Sequence, residues 1–331
     1  MTKLVIQIPC LNEAEHLPET LAALPTDIDG IDEIEIIIID DGSSDETGNV
    51  ALALGAHHVV RHRRNRGLAA AFQSGVDHAL KRHADIIVNT DADGQYVGED
   101  IAELVRPIIS GDADIVVGDR GVHRNEHFSP MKRLLQRFGS TVVRNLSRTD
   151  ITDAVSGFRA FTSDAARRLF ITTHFSYTTD MLIQAGRKGM RITSVPIRTN
   201  PAARPSRLFR SIPGFIMQTG VTIARAYTTY NPLHVFGGIG IILALIGLAP
   251  IVRFLVFYIQ GEGSGHIQSL VLGGAILILG AITFLLGILA DLISANRKLS
   301  EATLEKIRRI EQELEANKRA DENRGTDGND G

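Results

Sequence analysis

The chain of 331 residues has no tryptophan and a single cysteine, Cys10. One cysteine cannot form an internal disulfide, which fits a domain that folds in a reducing compartment. Cys10 is therefore expected to be a small buried apolar residue. The sequence also lacks a glycine-rich phosphate loop and a G-x-G-x-x-G pattern, so neither a P-loop ATPase nor a dinucleotide enzyme is expected. A lone cysteine and unclustered histidines argue against a zinc site.

Acidic residues are missing from Met181 to Gln260, although this stretch carries nine lysines and arginines. The rest of the chain holds 26 of the 35 basic residues against all 38 acidic residues, a balance of −12. A basic stretch beside apolar sequence predicts contact with anionic lipid headgroups. Nucleic acid is the competing interpretation, and the apolar segments that follow favour lipid over it.

Two long runs carry no formal charge, the 20 residues Leu233–Val252 and the 24 residues Ile267–Ala290. A bilayer core of ~30 Å needs about twenty helical residues, so both runs predict transmembrane helices. Their glycines suit close helix packing in lipid. The alternative is a hairpin buried inside a soluble protein.

The charges that flank these runs predict their orientation. The connecting loop Gln260–His266 has no lysine or arginine, whereas Arg225 precedes the first run and Arg297 follows the second. By the positive-inside rule the region before these runs and both termini are expected in the cytosol. We predict interfacial amphipathic helices over residues 201–230, a two-helix hairpin over 231–293, and a tail over 294–331 that is first helical and then disordered.

Residues 1–200 alternate short β-branched runs with helical patterns, which predicts an α/β fold whose mainly parallel sheet is covered by helices on both faces. The predicted strands are Lys3–Ile8, Glu33–Ile39, His58–Arg61, Asp85–Asn89, Asp114–Val117, Gly157–Phe161 and Arg191–Ile197. The predicted helices are Glu13–Leu24, Glu46–Leu54, Leu68–His83, Glu99–Ile109, Pro130–Leu146 and Thr178–Arg187.

Polar clusters follow three of these strands: "PCLNE" at Pro9–Glu13, "DDGSSD" at Asp40–Asp45 and "DADGQ" at Asp91–Gln95. Ligands of open α/β sheets bind beyond the carboxyl ends of the strands, so three clusters at one edge indicate a site.

The pair Asp91 and Asp93 allows three interpretations: a turn, a calcium loop or a divalent-metal clamp. A calcium loop of the EF-hand type needs a preceding helix, and Asp85–Asn89 is predicted to be a strand. If the chain stays extended past that strand, residues two apart face the same way and both carboxylates can converge on one Mg²⁺ or Mn²⁺. Such sites commonly add substrate phosphates to one or two carboxylates.

The ordered set "PCLNE", "DDGSSD", "NRGLAAA", "DADGQ", "GDR" and "SGFRAF" resembles the inverting family-two glycosyltransferases of the GT-A fold. Within that family the chain is most similar to the polyprenyl- or dolichyl-phosphate hexose synthases. The resemblance covers about Thr2–Asn200 and continues into a two-span tail. It implies a GT-A domain over residues 1–200.

The resemblance also implies roles for individual residues. The positions that hold the nucleotide correspond to Pro9, Asn12, Glu13 and Asp41, and those that bind Mg²⁺ or Mn²⁺ on the diphosphate correspond to Asp91, Asp93 and Gln95. An arginine that matches Arg120 faces the acceptor phosphate together with the basic pair Lys132–Arg133, and Asp153 lies near the acceptor. The chain departs from the family at Arg137, where a hydroxyl residue is common.

The reaction implied is transfer of a hexose from a nucleotide diphosphate sugar, of the UDP-glucose or GDP-mannose class, to a polyprenyl phosphate. Arg133, Arg204 and Arg207 would then counter phosphate charge. The residues expected to act in catalysis are Asp93, Arg120, Asp153 and Asp180. Asp180 would orient a substrate, or act as a base if the acceptor were a hydroxyl.

Other functions remain open from the sequence: a transferase with another lipid or a polysaccharide hydroxyl as acceptor, or an idle membrane scaffold. Processive polysaccharide synthases usually carry Q-x-x-R-W, and this chain has no tryptophan. The expected partners are the donor, the acceptor and membrane lipids, with no nucleic acid, and a homo-oligomer is left open.

Overall fold

The computed structural model describes residues 1–121, 151, 153–171, 177–200, 227–228, 231–261 and 263–327. The backbone forms two compact units, Met1–Thr219 together with Glu305–Gly331, and Gly220–Leu304. The predicted helix Pro130–Leu146 and nearly all of the predicted interfacial segment, residues 201–230, lie outside the described residues.

Within the described part of the first unit, seven strands form one mixed sheet in the order β3-β2-β1-β4-β6-β5-β7. Four of the pairings are parallel, and β6 runs antiparallel between β4 and β5. The strands are β1 (Lys3–Cys10), β2 (Glu33–Asp40), β3 (His58–Arg61), β4 (Ile86–Asn89), β5 (Ile115–Asp119), β6 (Arg159–Thr162) and β7 (Ile192–Pro196).

Helices cover both faces of this sheet, which is why β1 and β2 read as nearly continuous apolar runs. Leu4, Ile6 and Ile8 of β1 share one core with apolar side chains of α1 and α4. On the opposite face Gly75 brings the backbone of α3 against Gln7 and Ile39. The helices of this unit are α1 (Leu17–Ala22), α2 (Thr47–Ala53), α3 (Leu68–Lys81), α4 (Ile101–Ile109), α5 (Ser163–Arg168) and α6 (Tyr177–Arg187).

Pro9 lies in a central strand, where the missing N–H of proline is usually disfavoured. The carbonyls of Lys3 and Gln7 accept from residues at the two ends of β4, so the odd-numbered residues of β1 face that strand. The β1–β4 ladder stops at the pair Gln7–Asn89. The backbone nitrogen of Pro9 therefore points towards β4 beyond the last residue pair of that ladder, where no N–H is needed.

The predicted α/β architecture is confirmed, with differences at the ends of elements. Helix α1 begins at Leu17 instead of Glu13, because the intervening residues form a turn in which Glu13 O accepts from His16 N at 3.1 Å. Helix α5 was not predicted. It is six residues long and begins where Thr162 Oγ1 accepts from Ala165 N, a cap that stabilises one short turn.

In the second unit a π-helical turn, Leu233–Gly237, leads into α7 (Gly238–Ile259). A single helix, α8, runs from Ile267 to Asp327, and its residues after Leu304 belong to the first unit. Glycines let α7 and α8 approach closely. A Cβ added at Gly240 would lie 2.8 Å from the carbonyl oxygen of Gly280, and one added at Gly247 would lie 2.6 Å from the amide of Leu277. This is the small-residue packing expected of helices in lipid.

Two helical segments among the described residues are long and apolar enough to cross a membrane, Leu233–Ile259 and Ile267–Arg297. They contain both predicted spans, and the first extends beyond the predicted end at Val252. The tail differs from prediction, because α8 continues unbroken to Asp327 instead of becoming disordered near Ala320. Alanine, glutamate, lysine and arginine, which are strong helix formers, make up most of residues 294–319, which precede this end of the helix.

An ionic network holds the outer part of the sheet together. The buried carboxylate of Glu35 on β2 accepts from Lys3 Nζ at 2.7 Å and from Arg82 Nη2 at 2.8 Å. The hydrogen bond from Arg82, reinforced by Lys3 against the opposing effect of burial, lowers the pKa of Glu35 to about 2.

We expect Glu35→Gln to destabilise the protein at neutral pH by about 2 to 3 kcal/mol. A lowered folded-state pKa stabilises above the ordinary value near 4.5, and this contribution disappears as the pH falls from there towards 2. Thermal unfolding in detergent should therefore show a gap between native and variant at pH 7 that narrows below pH 4.5. Glu33→Gln is the control, because Glu33 pairs with the same lysine but its side chain is 42% exposed. An equal effect of both variants would contradict this.

Candidate metal and nucleotide site

The first two polar clusters are joined by hydrogen bonds between the loops that follow β1 and β2. The backbone N–H of Asn12 donates to Ser43 Oγ at 2.9 Å, and Asn12 Oδ1 accepts from the N–H of Ser44 at 2.8 Å. The N–H of Glu13 donates to Thr47 Oγ1 at 2.9 Å. Asn12 has a left-handed φ of 54°, a conformation that asparagine tolerates better than most residues. The two loops therefore form one continuous wall.

The carboxylate of Asp41 lies at the beginning of α3. Its Oδ1 accepts from the N–H of Arg66 at 2.9 Å, and its Oδ2 accepts from the N–H of Gly67 at 2.8 Å. His62 Nδ1 lies 2.6 Å from Asp41 Oδ1, and the other ring nitrogen lies 3.0 Å from Ser74 Oγ. Gly67 has a φ of +90°, which explains the glycine of "NRGLAAA". Asp41 thus fixes the start of α3 at the edge of the wall.

The third cluster follows β4 and forms a turn, which is one of the three interpretations that the sequence allows; the chain does not stay extended past the strand. Gly94 has a φ of +68°, and Asp93 Oδ1 accepts from the N–H of Gln95 at 3.1 Å. Asp, Asn and Gly favour such turns because the side chain bonds to the backbone two residues on. The strand before the turn is confirmed, which rules out the helix that an EF-hand needs.

Asp91 and Asp93 nevertheless influence each other electrostatically. Burial and then the charge of Asp93 raise the pKa of Asp91 to about 6, with a smaller contribution from Glu13, while Arg120 acts in the opposite direction. Two carboxylates held this close repel unless a proton or a cation lies between them. The turn therefore presents a strongly negative position at the sheet edge.

A small polar cage holds the base of this turn. The side-chain Nδ2 of Asn89, the last residue of β4, donates to Gly157 O at 2.9 Å and lies 3.1 Å from the hydroxyl of Tyr177. The N–H of Gly157 donates to the hydroxyl of Tyr96 at 3.2 Å. A Cβ added at Gly157 would lie 3.1 Å from both carboxylate oxygens of Asp91. Because Gly157 has no side chain, the Asp91 carboxylate has space on the side that faces the Gly157 backbone.

Arg120 and Asp153 form a bidentate ion pair next to the turn. Nε of Arg120 donates to Asp153 Oδ2 at 2.7 Å, and Nη2 donates to Oδ1 at 2.9 Å. Burial works against the charge of Arg120, but the hydrogen bonds with Asp153 outweigh it and raise the pKa of the guanidinium. The side chain of Asp153 is buried, and that of Arg120 is partly exposed. The pair therefore leaves a cation at the surface of the site.

Arg159, on β6, is fully buried and organises the segment before it. Its guanidinium donates to the carbonyls of Ala154 at 2.7 Å, Ser156 at 2.8 Å and Thr178 at 2.6 Å. Burial lowers the pKa of Arg159 to about 10. These bonds tie the segment that carries Asp153 and Gly157 to the beginning of α6. The sequence motif "SGFRAF" contained this residue, but its spacing gave no role for it.

The family model described as glycosyl transferase family 2 matches residues 5–170, which is half of the chain. The chain belongs to this family. The undecaprenyl-phosphate mannosyltransferase of Micrococcus luteus is 30% identical over 57% of this chain and 80% of its own length. Glycosyltransferase AglJ of Haloferax volcanii is 28% identical over 93% of this chain and 97% of its own length.

The fold has a counterpart among solved structures. Glucosyl-3-phosphoglycerate synthase of Mycobacterium tuberculosis, solved with Mn²⁺, UDP and phosphoglyceric acid, superposes with a TM-score of 0.51 at 20% identity. The similarity covers 67% of this chain and 78% of that one. It shows that this family-two glycosyltransferase has the GT-A-like fold that the motif order implied.

The acidic turn of this transferase fits a divalent cation that is shared with a substrate. Among the residues that the structure describes, no group of three histidine, cysteine, aspartate or glutamate side chains is placed to hold a metal alone. Asp91, Asp93 and Gln95 would supply oxygen ligands, and the rest would come from diphosphate and water, as is common for Mg²⁺. The space that Gly157 leaves at Asp91 and the raised pKa of that carboxyl agree with this donor set.

The structure does not describe every predicted site residue. Arg133, Arg204 and Arg207 lie outside the described part of the chain, so their roles stay predictions. Asp180 is buried on α6, where its Oδ2 accepts from Gln184 Nε2 at 3.0 Å. The same amide nitrogen donates to the carbonyl of Phe170, so this contact of Asp180 belongs to the packing of α6. Its predicted catalytic role also stays a prediction.

We expect Gly157→Ala to reduce turnover about tenfold or more, because the added methyl forces the Asp91 carboxylate to move. The matched control is Gly48→Ala, whose Cβ would lie 3.1 Å from Asp40 Oδ2, a carboxylate outside the predicted metal ligands. Steady-state sugar transfer at several Mn²⁺ concentrations measures both. Equal losses in the two variants would show that crowding a carboxylate, and not displacement of Asp91, is responsible.

Proposed function

We propose that this glycosyltransferase moves a hexose from a nucleotide diphosphate sugar to a polyprenyl or dolichyl phosphate at the cytosolic membrane face. Transfer proceeds with inversion and requires Mg²⁺ or Mn²⁺. The observation that carries the proposal is the juxtaposition of the acidic turn Asp91–Gln95 with the Arg120–Asp153 pair, in a chain that also has two apolar helices of membrane-spanning length.

The comparisons support each half of the proposal. A relative that is 30% identical is named an undecaprenyl-phosphate mannosyltransferase, which points to a polyprenyl phosphate acceptor. The M. tuberculosis synthase was solved with Mn²⁺ and UDP, which points to a metal and a nucleotide diphosphate at the donor side. The donor sugar stays open between the glucose and mannose classes.

The proposed reaction forms a bond between an oxygen of the lipid phosphate and the anomeric carbon of the sugar. The bond from that carbon to the diphosphate breaks, and the nucleoside diphosphate leaves with the electron pair. A bound Mg²⁺ or Mn²⁺ would neutralise the charge that grows on this leaving group. Pro9, Asn12, Glu13 and Asp41 hold the nucleotide, and Asp91 and Asp93 hold the diphosphate end.

The Arg120–Asp153 pair favours a phosphate acceptor over a hydroxyl. A phosphate monoester loses its second proton near pH ~6, so it is a ready nucleophile without a base. Asp153 is buried, and both of its carboxylate oxygens already accept hydrogen bonds from the Arg120 guanidinium. Arg120 instead offers positive charge to the incoming phosphate. Arg133, Arg204 and Arg207 are proposed to add to this charge.

Transfer of radiolabelled sugar to purified polyprenyl phosphates tests this function. We expect one member of a panel of UDP- and GDP-sugars to yield a labelled lipid that releases its sugar in mild acid, because the anomeric C–O bond of a glycosyl phosphodiester is acid-labile. A labelled product that resists mild acid would indicate a hydroxyl acceptor. No transfer from any donor would favour the scaffold interpretation.

We expect Asp93→Asn to abolish most turnover, because it keeps the shape of the side chain and removes a negative charge beside the metal. Chelation with EDTA should do the same to the native enzyme. Without ligands the variant should unfold at the same temperature or slightly higher, since one repulsion at Asp91 is relieved. Mn²⁺ at a hundred times its Kd, with nucleoside diphosphate, should stabilise the native chain by about 2.7 kcal/mol and the variant much less. Normal turnover of Asp93→Asn would make the turn structural only.

A further inference from the structure

The acidic turn Asp91–Gln95 is hydrogen-bonded to a short segment that follows β7. The backbone N–H of Asn200 donates to the carbonyl of Gln95 at 2.8 Å, and its side-chain Nδ2 donates to the carbonyl of Gly94 at 2.9 Å. The N–H of Gln95 meanwhile donates to Asp93 Oδ1. Both peptide carbonyls after Asp93 are thus fixed by one residue, about 100 positions later in the chain.

The same segment has a second anchor at Asp100, in the short 3₁₀ helix Gly98–Asp100 that follows the turn. Arg198 donates to the buried carboxylate of Asp100 through its backbone N–H at 2.6 Å, Nε at 2.9 Å and Nη2 at 2.7 Å. Its Nη2 also donates to Glu99 Oε2 at 3.0 Å. Between the two anchors Thr199 forms an isolated antiparallel bridge with Tyr96. We call Arg198–Asn200 the strap.

We propose that the strap is a positioning element of the donor site, and that Asn200 sets the orientation of Asp93 and Gln95 for the cation and the diphosphate. The proposal rests on the proposed function, since it concerns the same metal turn. Neither Arg198 nor Asn200 needs to touch a ligand. Their effect is to keep a turn with a positive φ at Gly94 in one conformation through the hydrogen bonds of Asn200 to Gly94 and Gln95.

The place of the strap in the sequence gives it a second consequence. Asn200 is followed directly by residues 201–230, which carry Arg204 and Arg207, the arginines predicted to meet lipid phosphate. In the sequence, the strap is therefore followed directly by the segment that is predicted to contact the acceptor. Loosening the strap should weaken the donor side first, because its hydrogen bonds end on the donor turn.

The other end of β7 provides a matched control. Arg191 binds Asp114 through the same three groups, with its backbone N–H at 2.7 Å, Nε at 3.4 Å and Nη2 at 2.9 Å. The side chains of Arg191 and Arg198 are 59% and 62% exposed. Arg191→Ala and Arg198→Ala thus remove the same charge and a similar ion pair from opposite ends of one strand, and only Arg198 lies in the strap.

The experiment measures Mn²⁺ binding to the full chain in detergent by the electron paramagnetic resonance signal of free Mn²⁺, with saturating UDP and, separately, GDP. Asn200→Ala removes one side-chain hydrogen bond and Arg198→Ala removes three, and each variant should raise the Kd for Mn²⁺ about three- to tenfold. Arg191→Ala should leave it within about twofold, although its effect on the unfolding temperature should match that of Arg198→Ala. In turnover, the strap variants should raise KM for the nucleotide sugar and leave KM for polyprenyl phosphate unchanged.

Native Mn²⁺ affinity in both strap variants would overturn the proposal and leave the proposed function standing. Equal loss in Arg191→Ala would also overturn it, because the effect would then follow general stability. If the native chain bound no Mn²⁺ with either nucleotide, the donor site itself would be wrong, and the strap proposal would fall with it.

Discussion

Two carboxylates of like charge, Asp91 and Asp93, are held next to each other at the carboxyl edge of the sheet, and the surrounding structure keeps them there. Burial, and then repulsion by the charge of Asp93, raise the pKa of Asp91 to about 6. A turn under this strain would open if it were held only by its own Asx hydrogen bond. It is held instead from three sides, by the Asn89 cage beneath it, the Gly157 backbone beside it and the Arg198–Asn200 strap outside it.

These supports depend in turn on buried polar groups that the sheet positions. Asn89 ends a strand that is hydrogen-bonded on both sides, by β1 and β6. Arg159 lies on β6 and donates to the carbonyls of Ala154, Ser156 and Thr178. These hydrogen bonds therefore connect the segment that carries Asp153 and Gly157 to strand β6. The acidic turn and the Arg120–Asp153 pair are therefore parts of one hydrogen-bonded framework.

Much of this was predictable from the sequence, because apolar periodicity and loop chemistry are local signals. Strands such as His58–Arg61 were predicted at the residues where they lie, and the three polar clusters lie at the carboxyl ends of β1, β2 and β4, although the first two begin inside the strands, at Pro9 and Asp40. Contacts between distant residues left no such signal. Asn200 reaches Gly94 across 106 positions, and Asn89 reaches Tyr177 across 88. The sequence allowed both a turn and an extended chain at Asp91–Gln95, since a positive φ at Gly94 depends on the hydrogen bonds around it.

The central claim is that Asp91 and Asp93 share one cation with the donor diphosphate. Anomalous diffraction at the manganese edge, from crystals of the full chain grown with Mn²⁺ and UDP or GDP, tests it most directly. The account predicts an anomalous peak within coordination distance of a carboxylate of this pair and of the diphosphate oxygens. A Mn²⁺ bound elsewhere, or a nucleotide diphosphate bound at this edge with no metal beside Asp91 and Asp93, would contradict it.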